Sequence, residues 1–270
     1  VSRYGVMRGV WTMDTVGPIS RTVEDAAITL GAIAGQDPKD QHSWNTPVPD
    51  YRSALTGDIR GLRIGVITEQ LNSDLVESET RETVVKAIAV LGELGATVED
   101  VSLPLTITAS VASSVLLAVE PAFAHREWIK ERIQDYGHDV RIQQLVGSIM
   151  PAQAYYKAQK LRAMLRDQVQ EALAKYDVLV LPTCGRPAQD IQDDPAITSK
   201  ETASRLPYLL TRLFNLASSP AASVPCGFSA DGLPIGLQIG SRPGGDELIL
   251  KVAHAYEQAT PWHKQRPPEA

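Results

Sequence analysis

The chain has 270 residues, 43% hydrophobic and 21% charged, an ordinary balance for a globular protein and enough length to bury a sizeable core. Its formal net charge of −6 argues against a nucleic-acid surface as the main function, because phosphate binding needs clustered Lys and Arg. The two cysteines, Cys184 and Cys226, sit in apolar strand-like settings and read as buried thiols rather than a disulfide.

Residues 1–21 read as irregular, Gly-punctuated backbone. Thr22 reads as an N-cap, with Asp25 at the third helical position as an acidic capping-box variant, and the helix runs to about Ala34 before Gly35. Residues 36–49 are polar and Pro-bearing, hence a loop. Gly61–Ile67 reads as a buried strand; Glu79–Leu94 carries Val84, Val85, Ile88, Leu91 and Leu94 at helical spacing; residues 96–103 alternate like a strand. This strand–helix–strand unit predicts two parallel neighbours. Helices follow over Ile107 to about Gln134, Asp139–Val146 and Ala152–Lys175.

The most apolar of these stretches, Ile107–Val119, reads as too short and too interrupted by Thr and Ser to cross a bilayer. With no signal peptide apparent, a cytoplasmic setting without membrane contact is expected. Tyr176–Pro182 predicts a further buried strand and Ser204–Ala217 a helix. Ala222–Cys226 and Pro234–Ile239 predict an antiparallel pair joined by a turn at Asp231-Gly232, and Asp246–Ala259 a closing helix. With no repeat or linker, this is one α/β unit, a mixed β-sheet core flanked by helices.

Short motifs fail when taken alone. His125-Arg126-Glu127 with Pro225-Cys226 resembles half of a zinc deaminase signature, but Ser229 stands where the second thiolate is needed. No nucleophile elbow, P-loop or dinucleotide fingerprint occurs. The five histidines lack metal-ligand spacing, so neither a metal nor an organic cofactor is expected.

Five segments in order resemble the amidase signature family. They are Asp14-Thr-Val-Gly17-Pro18-Ile-Ser-Arg21-Thr22-Val-Glu-Asp25; Ala34-Gly-Gln-Asp37-Pro-Lys-Asp40; Asp58-Ile-Arg-Gly61-Leu-Arg-Ile-Gly-Val; Tyr176-Asp-Val-Leu-Val-Leu-Pro-Thr183; and Phe214-Asn215-Leu with the hairpin from Pro220 to Ile239. The resemblance implies residues 1–270 as the C-terminal part of a single amidase domain, incomplete on its N-terminal side. It implies a carbon–nitrogen hydrolase in which a serine, a cis-serine and a neutral lysine convert a carboxamide to acid and ammonia. In the family those residues lie upstream of Val1, so no catalytic residue maps here and this chain alone is expected to be inactive. Expected partners are a small amide and the missing N-terminal half, with a homodimer left open and no direct nucleic-acid contact. The alternatives are a noncatalytic binding module or one component of a tRNA-dependent amidotransferase.

The remaining residues read as walls and props. Asp14, before Gly17-Pro18, suits local backbone N–H groups, and Arg21 with Asp25 suits an ion pair or cap. Arg162 looks like a position that binds the substrate carboxylate in the tRNA-dependent relatives, a solvated helix face being its plain alternative. Counting back from Asn215, Tyr208 falls where those relatives carry an acid for the substrate ammonium, and plain packing is the other reading. Ser218-Ser219-Pro220 replaces the family's usual Gly-bearing turn. If an upstream half normally covers this one, apolar surface near residues 1–20 and unpaired strand edges are expected.

Overall fold

The computed structural model describes residues 1–7, 9–190 and 210–267. Its strands are β1 (Arg63–Ile67), β2 (Thr97–Val101), β3 (Val178–Pro182), β4 (Ala221–Phe228) and β5 (Pro234–Ser241). They form one mixed sheet in the order β2-β1-β3-β5-β4. β1 runs parallel to both β2 and β3, and β5 pairs antiparallel with β3 and β4.

All of β3 is buried, and the pleat sends Val178 and Val180 to one face, Leu179 and Leu181 to the other. On the first face pack α1 (Val23–Ile33), the short α2 (Thr68–Leu71), and α3 (Ser78–Glu93) through Val84, Ile88 and Leu91. The other face is covered by α4 (Ala109–Ala124) and, after α5 (Arg126–Arg132) and α6 (His138–Ile149), by Leu165 and Val169 of α7 (Ala152–Leu173). α8 (Arg212–Ala217) joins this second layer, and α9 (Asp246–Ala259) returns to the first through Ile249, Val252 and Tyr256. Gly240 of β5 makes room for α8: a Cβ there would meet the Phe214 ring at 2.1 Å.

One helical stretch differs from expectation. The helix predicted over residues 107–134 is divided: a 3₁₀ turn (Pro104–Thr108) leads into α4, which ends one turn after Pro121, and α5 restarts at Arg126. Proline supplies no N–H to the carbonyl four residues back. Gln143 of α6 donates its Nε2 to that carbonyl, Leu117 O, at 3.0 Å. Counted with its 3₁₀ turn, the stretch Pro104–Ala124 is 21 residues, so it is long and apolar enough to cross a membrane by length and composition, contrary to the shorter reading. Here Ala112, Leu116 and Ala118 of that stretch are buried, within the layer it shares with α7 and α8. The helix expected from Ser204 is seen only from Arg212, its earlier part lying outside the described residues.

Thr22 Oγ1 accepts from Asp25 N at 3.1 Å, as a cap should. The expected Arg21–Asp25 ion pair is absent among the described residues, and Arg21 donates instead to Gln265 O at 3.2 Å. Buried Glu257 of α9 completes the cap by accepting from Val23 N at 2.9 Å. A carboxylate from another element thus takes an N–H that the helix start leaves over.

Tyr4, Met7, Trp11 and Ile19 each expose more than half of their surface, so apolar exposure does gather in the first twenty residues. β2 and β4 are the edges of the sheet among the described residues.

α8 ends at Ser218, the one non-glycine residue with positive φ among those described (φ 55°, ψ 38°). A left-handed helix end favours glycine, and the Ser218 side chain is exposed, with little packing to lose. Ser218→Gly should therefore stabilise the fold by about 0.5–1 kcal/mol, read as a higher denaturant midpoint at unchanged m-value.

Candidate functional site

Residues 9–14 form no strand or helix; Val10 O accepts from Met13 N and Asp14 N in a turn, and side chains satisfy much of the rest. Asp14 Oδ2 accepts from Gly9 N (2.7 Å) and Val10 N (2.8 Å). Glu120 of α4 accepts from Thr12 N at 2.9 Å and Thr12 Oγ1 at 2.7 Å, and Tyr155 OH donates to it at 3.0 Å. Arg162 of α7 donates from Nη2 to Thr12 O (2.7 Å) and from Nε to Leu216 O (3.1 Å). Asn215 Nδ2 donates to Met13 O at 3.2 Å. Upstream, Ser2 Oγ donates to Asp37 at 2.6 Å and Arg3 N to buried Asp40 at 2.7 Å, binding the first motif to the loop after α1.

Asp14, Arg162 and Asn215 therefore converge on one segment, whereas Arg21 and Asp25 lie at the start of α1. Gly17 has no left-handed φ, and a Cβ there would meet nothing within 4 Å. Pro18 follows it in irregular backbone. Tyr208 lies outside the described residues. Burial pulls the Arg162 guanidinium below the ordinary arginine value, and nearby Glu120 works the other way. Two of the five Arg162 donors are committed to backbone carbonyls. Sequence reasoning missed Glu120, Asp40 and Glu257. A lone carboxylate in the otherwise apolar Val115–Ala124 stretch was the available signal for Glu120.

At the ends of β3 and β5 lies an open cleft of about 630 Å³. Gly236 forms part of its floor, and over it the Thr183 and Ser223 hydroxyls meet at 2.7 Å. A Cβ on Gly236 would meet Ser223 Oγ at 2.7 Å and Thr183 Oγ1 at 2.8 Å. Thr80, from the first turn of α3, also lines the cleft, and its buried Oγ1 has no hydrogen-bond partner. Cys184, Arg186 and Gln189 add to its polar wall, with Pro225, Pro234 and Ile235 among the apolar lining.

No carboxylate, imidazole or lysine is among these lining residues. A hydroxyl needs a base to become a nucleophile, and a guanidinium does not act as one. Burial pushes both thiols up, Cys226 to about 12, so neither is a thiolate near neutral pH. Both cysteines are free; Cys226 is buried as expected, whereas Cys184 is only half-buried at the cleft. Among the described residues no group of three or more His, Cys, Asp or Glu is placed to hold a metal ion.

A mixed α/β sheet with a hydroxyl-lined cleft at its strand ends thus stands beside an irregular segment held by side chains. The family description "Amidase" matches residues 1–250, and the chain belongs to the amidase signature family. The A subunit of glutamyl-tRNA(Gln) amidotransferase from Geobacillus stearothermophilus is 40% identical over 292 residues, covering 99% of this chain and 59% of that protein. The chain thus spans about three fifths of the length of the curated relatives it matches. The crystal structure of the corresponding Thermotoga maritima protein superposes with a TM-score of 0.78 at 32% identity, covering 97% of this chain and 56% of that one. A bacterial aryl acylamidase gives 0.78 at 28% identity, covering 92% and 53%. The peptide amidase PAM gives 0.76 at 27%, covering 100% and 58%.

Glu120→Ala should strand three donors and destabilise the chain by about 2 kcal/mol or more, measured by denaturant unfolding. With an aromatic disulfide reagent at pH 8, Cys226 in the native chain should react at least tenfold more slowly than in the unfolded chain, with Cys184 the faster native thiol. Equal native rates at the two cysteines would contradict this burial order.

Proposed function

We propose that this chain is the C-terminal part of an amidase that hydrolyses a carboxamide with one water to a carboxylic acid and ammonia. The observation that carries the reading is the cleft over Gly236, which offers hydroxyls, a thiol, the Gln189 carboxamide, one guanidinium and apolar walls but no carboxylate, imidazole or lysine among its lining residues. Such a surface suits the wall of an acyl site whose serine nucleophile and lysine base come from an upstream part of the same chain. The exposed apolar side chains of residues 4–19 are a suitable bed for that part. A cytoplasmic setting fits this reading.

For substrate choice, we favour an uncharged amide. Tyr208 offers no countercharge for an ammonium, and an unpaired charge in a partly dry pocket is costly. At the position that the family resemblance gives Tyr208, an aromatic residue suits apolar or aryl acyl groups. Arg162 already holds two backbone carbonyls, which suits a prop for residues 12–13 and the end of α8. A second reading, the amide-hydrolysing component of a tRNA-dependent amidotransferase, is favoured by the identity of 40% to the Geobacillus protein. In that reading the Arg162 fork also meets a substrate carboxylate.

The purified 270-residue chain should hydrolyse neither glutamine nor simple amides, because removing a catalytic unit removes most of the rate enhancement. Turnover that a single internal Ser or Lys substitution abolishes would refute this. In a full-length enzyme carrying this segment, kcat/KM for an apolar amide should exceed that for glutamine, and Tyr208→Asp should shift the ratio toward glutamine. A wild type that prefers glutamine, with a ratio indifferent to Tyr208→Asp, would favour the amidotransferase reading.

A further inference from the structure

Past the carboxyl ends of the three parallel strands the chain diverges. After β1 it turns to the face covered by α2 and α3, whereas after β2 it turns to the face covered by α4. Divergence of this kind opens a crevice beyond the strand ends, where open α/β sheets take ligands. A cavity of about 90 Å³ occupies that place, lined by Gln70 and Ser73 after β1, Thr106 and Ser110 after β2, and Arg212 after β3.

Arg212 is the unusual member. It is 8% exposed, and its partners among the described residues are the Ser113 and Ser114 hydroxyls, reached from Nη1 at 3.3 and 3.4 Å. Both hydroxyls are neutral, and both donate their own protons to Ser110 O. No carboxylate pairs with Arg212 among the described residues, in contrast to Arg60, Arg63 and Arg132, which all face acids at the surface. Burial lowers its affinity for a proton, with no charged neighbour among the described residues to offset that effect.

A buried cation is retained only where a countercharge or a rich set of acceptors meets it. Two long bonds to serine leave most of a five-donor fork without a protein partner among the described residues. The fork matches the two oxygens of a carboxylate or phosphate. Gln70, itself buried, also lines the cavity and carries an amide that can donate. Since a water takes about 30 Å³, the cavity admits an acetate- or phosphate-sized group and little more.

We propose that this cavity binds a small oxyanion, with Arg212 as its counterion and Gln70 as a second donor. The site is built wholly from this chain and is independent of amide hydrolysis. Calorimetric titration of the 270-residue chain with sodium acetate, and separately with sodium phosphate, at about pH 7 and constant ionic strength tests it. One-to-one saturable binding of at least one anion is expected, and the anion that binds identifies the group as carboxylate or phosphate. Arg212→Gln should weaken that binding by about tenfold or more, and Arg212→Lys by less, since lysine keeps the charge but not the fork. Should Arg212→Gln fail to fold, Arg212→Lys and Gln70→Leu provide the comparison, each expected to weaken binding measurably. Failure of the wild type to bind either anion saturably, or binding unchanged in both Arg212→Lys and Gln70→Leu, overturns the proposal.

Discussion

The fold depends on β3 being apolar on both faces. A strand that alternates Val and Leu with no polar side cannot sit at a solvated sheet surface, so it needs a helical layer on each side. One layer comes from α1, α3 and α9, drawn from the two ends of the sequence, and the other from the contiguous block that includes α4 and α7. The parallel pairing with β1 and antiparallel pairing with β5 then place the strand ends, the cleft over Gly236 and the Arg212 cavity at one end of the sheet. Both cavities are consequences of how the chain leaves a strand it was obliged to bury.

The first twenty residues obey a different logic. They contribute no strand or helix, and their backbone is tied down by side chains that arrive from α4, α7 and α8. This is an economical way to fix irregular backbone, since carboxylates and guanidinium forks satisfy several groups at once. It also explains why acids occur inside apolar helices: Glu120 interrupts α4, and Glu257 in α9 holds the start of α1.

Much of the architecture was readable in the sequence because it rests on local patterns. The period of Val84, Ile88 and Leu91, the uniform apolarity of residues 178–181 and the turn signal at Asp231-Gly232 each reflect one element and its immediate surroundings. The hydrogen bonds of the N-terminal segment were not readable, because Thr12 and Glu120 are 108 residues apart and no spacing rule joins them. The break after Pro121 was hidden for a related reason: the apolar period continues across it, and the compensating donor comes from α6. Arg212 looks like any cation in Leu210-Thr-Arg212-Leu, and only the packing of α8 against α4 shows that its partners among the described residues are two serine hydroxyls. At Ser218 the family resemblance pointed to the place, a Gly-bearing turn replaced by Ser218-Ser219-Pro220, and the left-handed backbone itself came from the structure.

The bond from Gln143 to Leu117 has a mechanical meaning as well. A carbonyl freed by proline would ordinarily seek water, leaving α4 able to bend about that point. Here the acceptor is claimed by a side chain from a neighbouring helix, so the fault in one helix becomes the notch into which another is keyed. Sliding α6 along α4 by one turn would unseat that side chain and leave a bare carbonyl behind. The bond therefore favours one register of the pair, and the proline works as an index mark as well as a bend point.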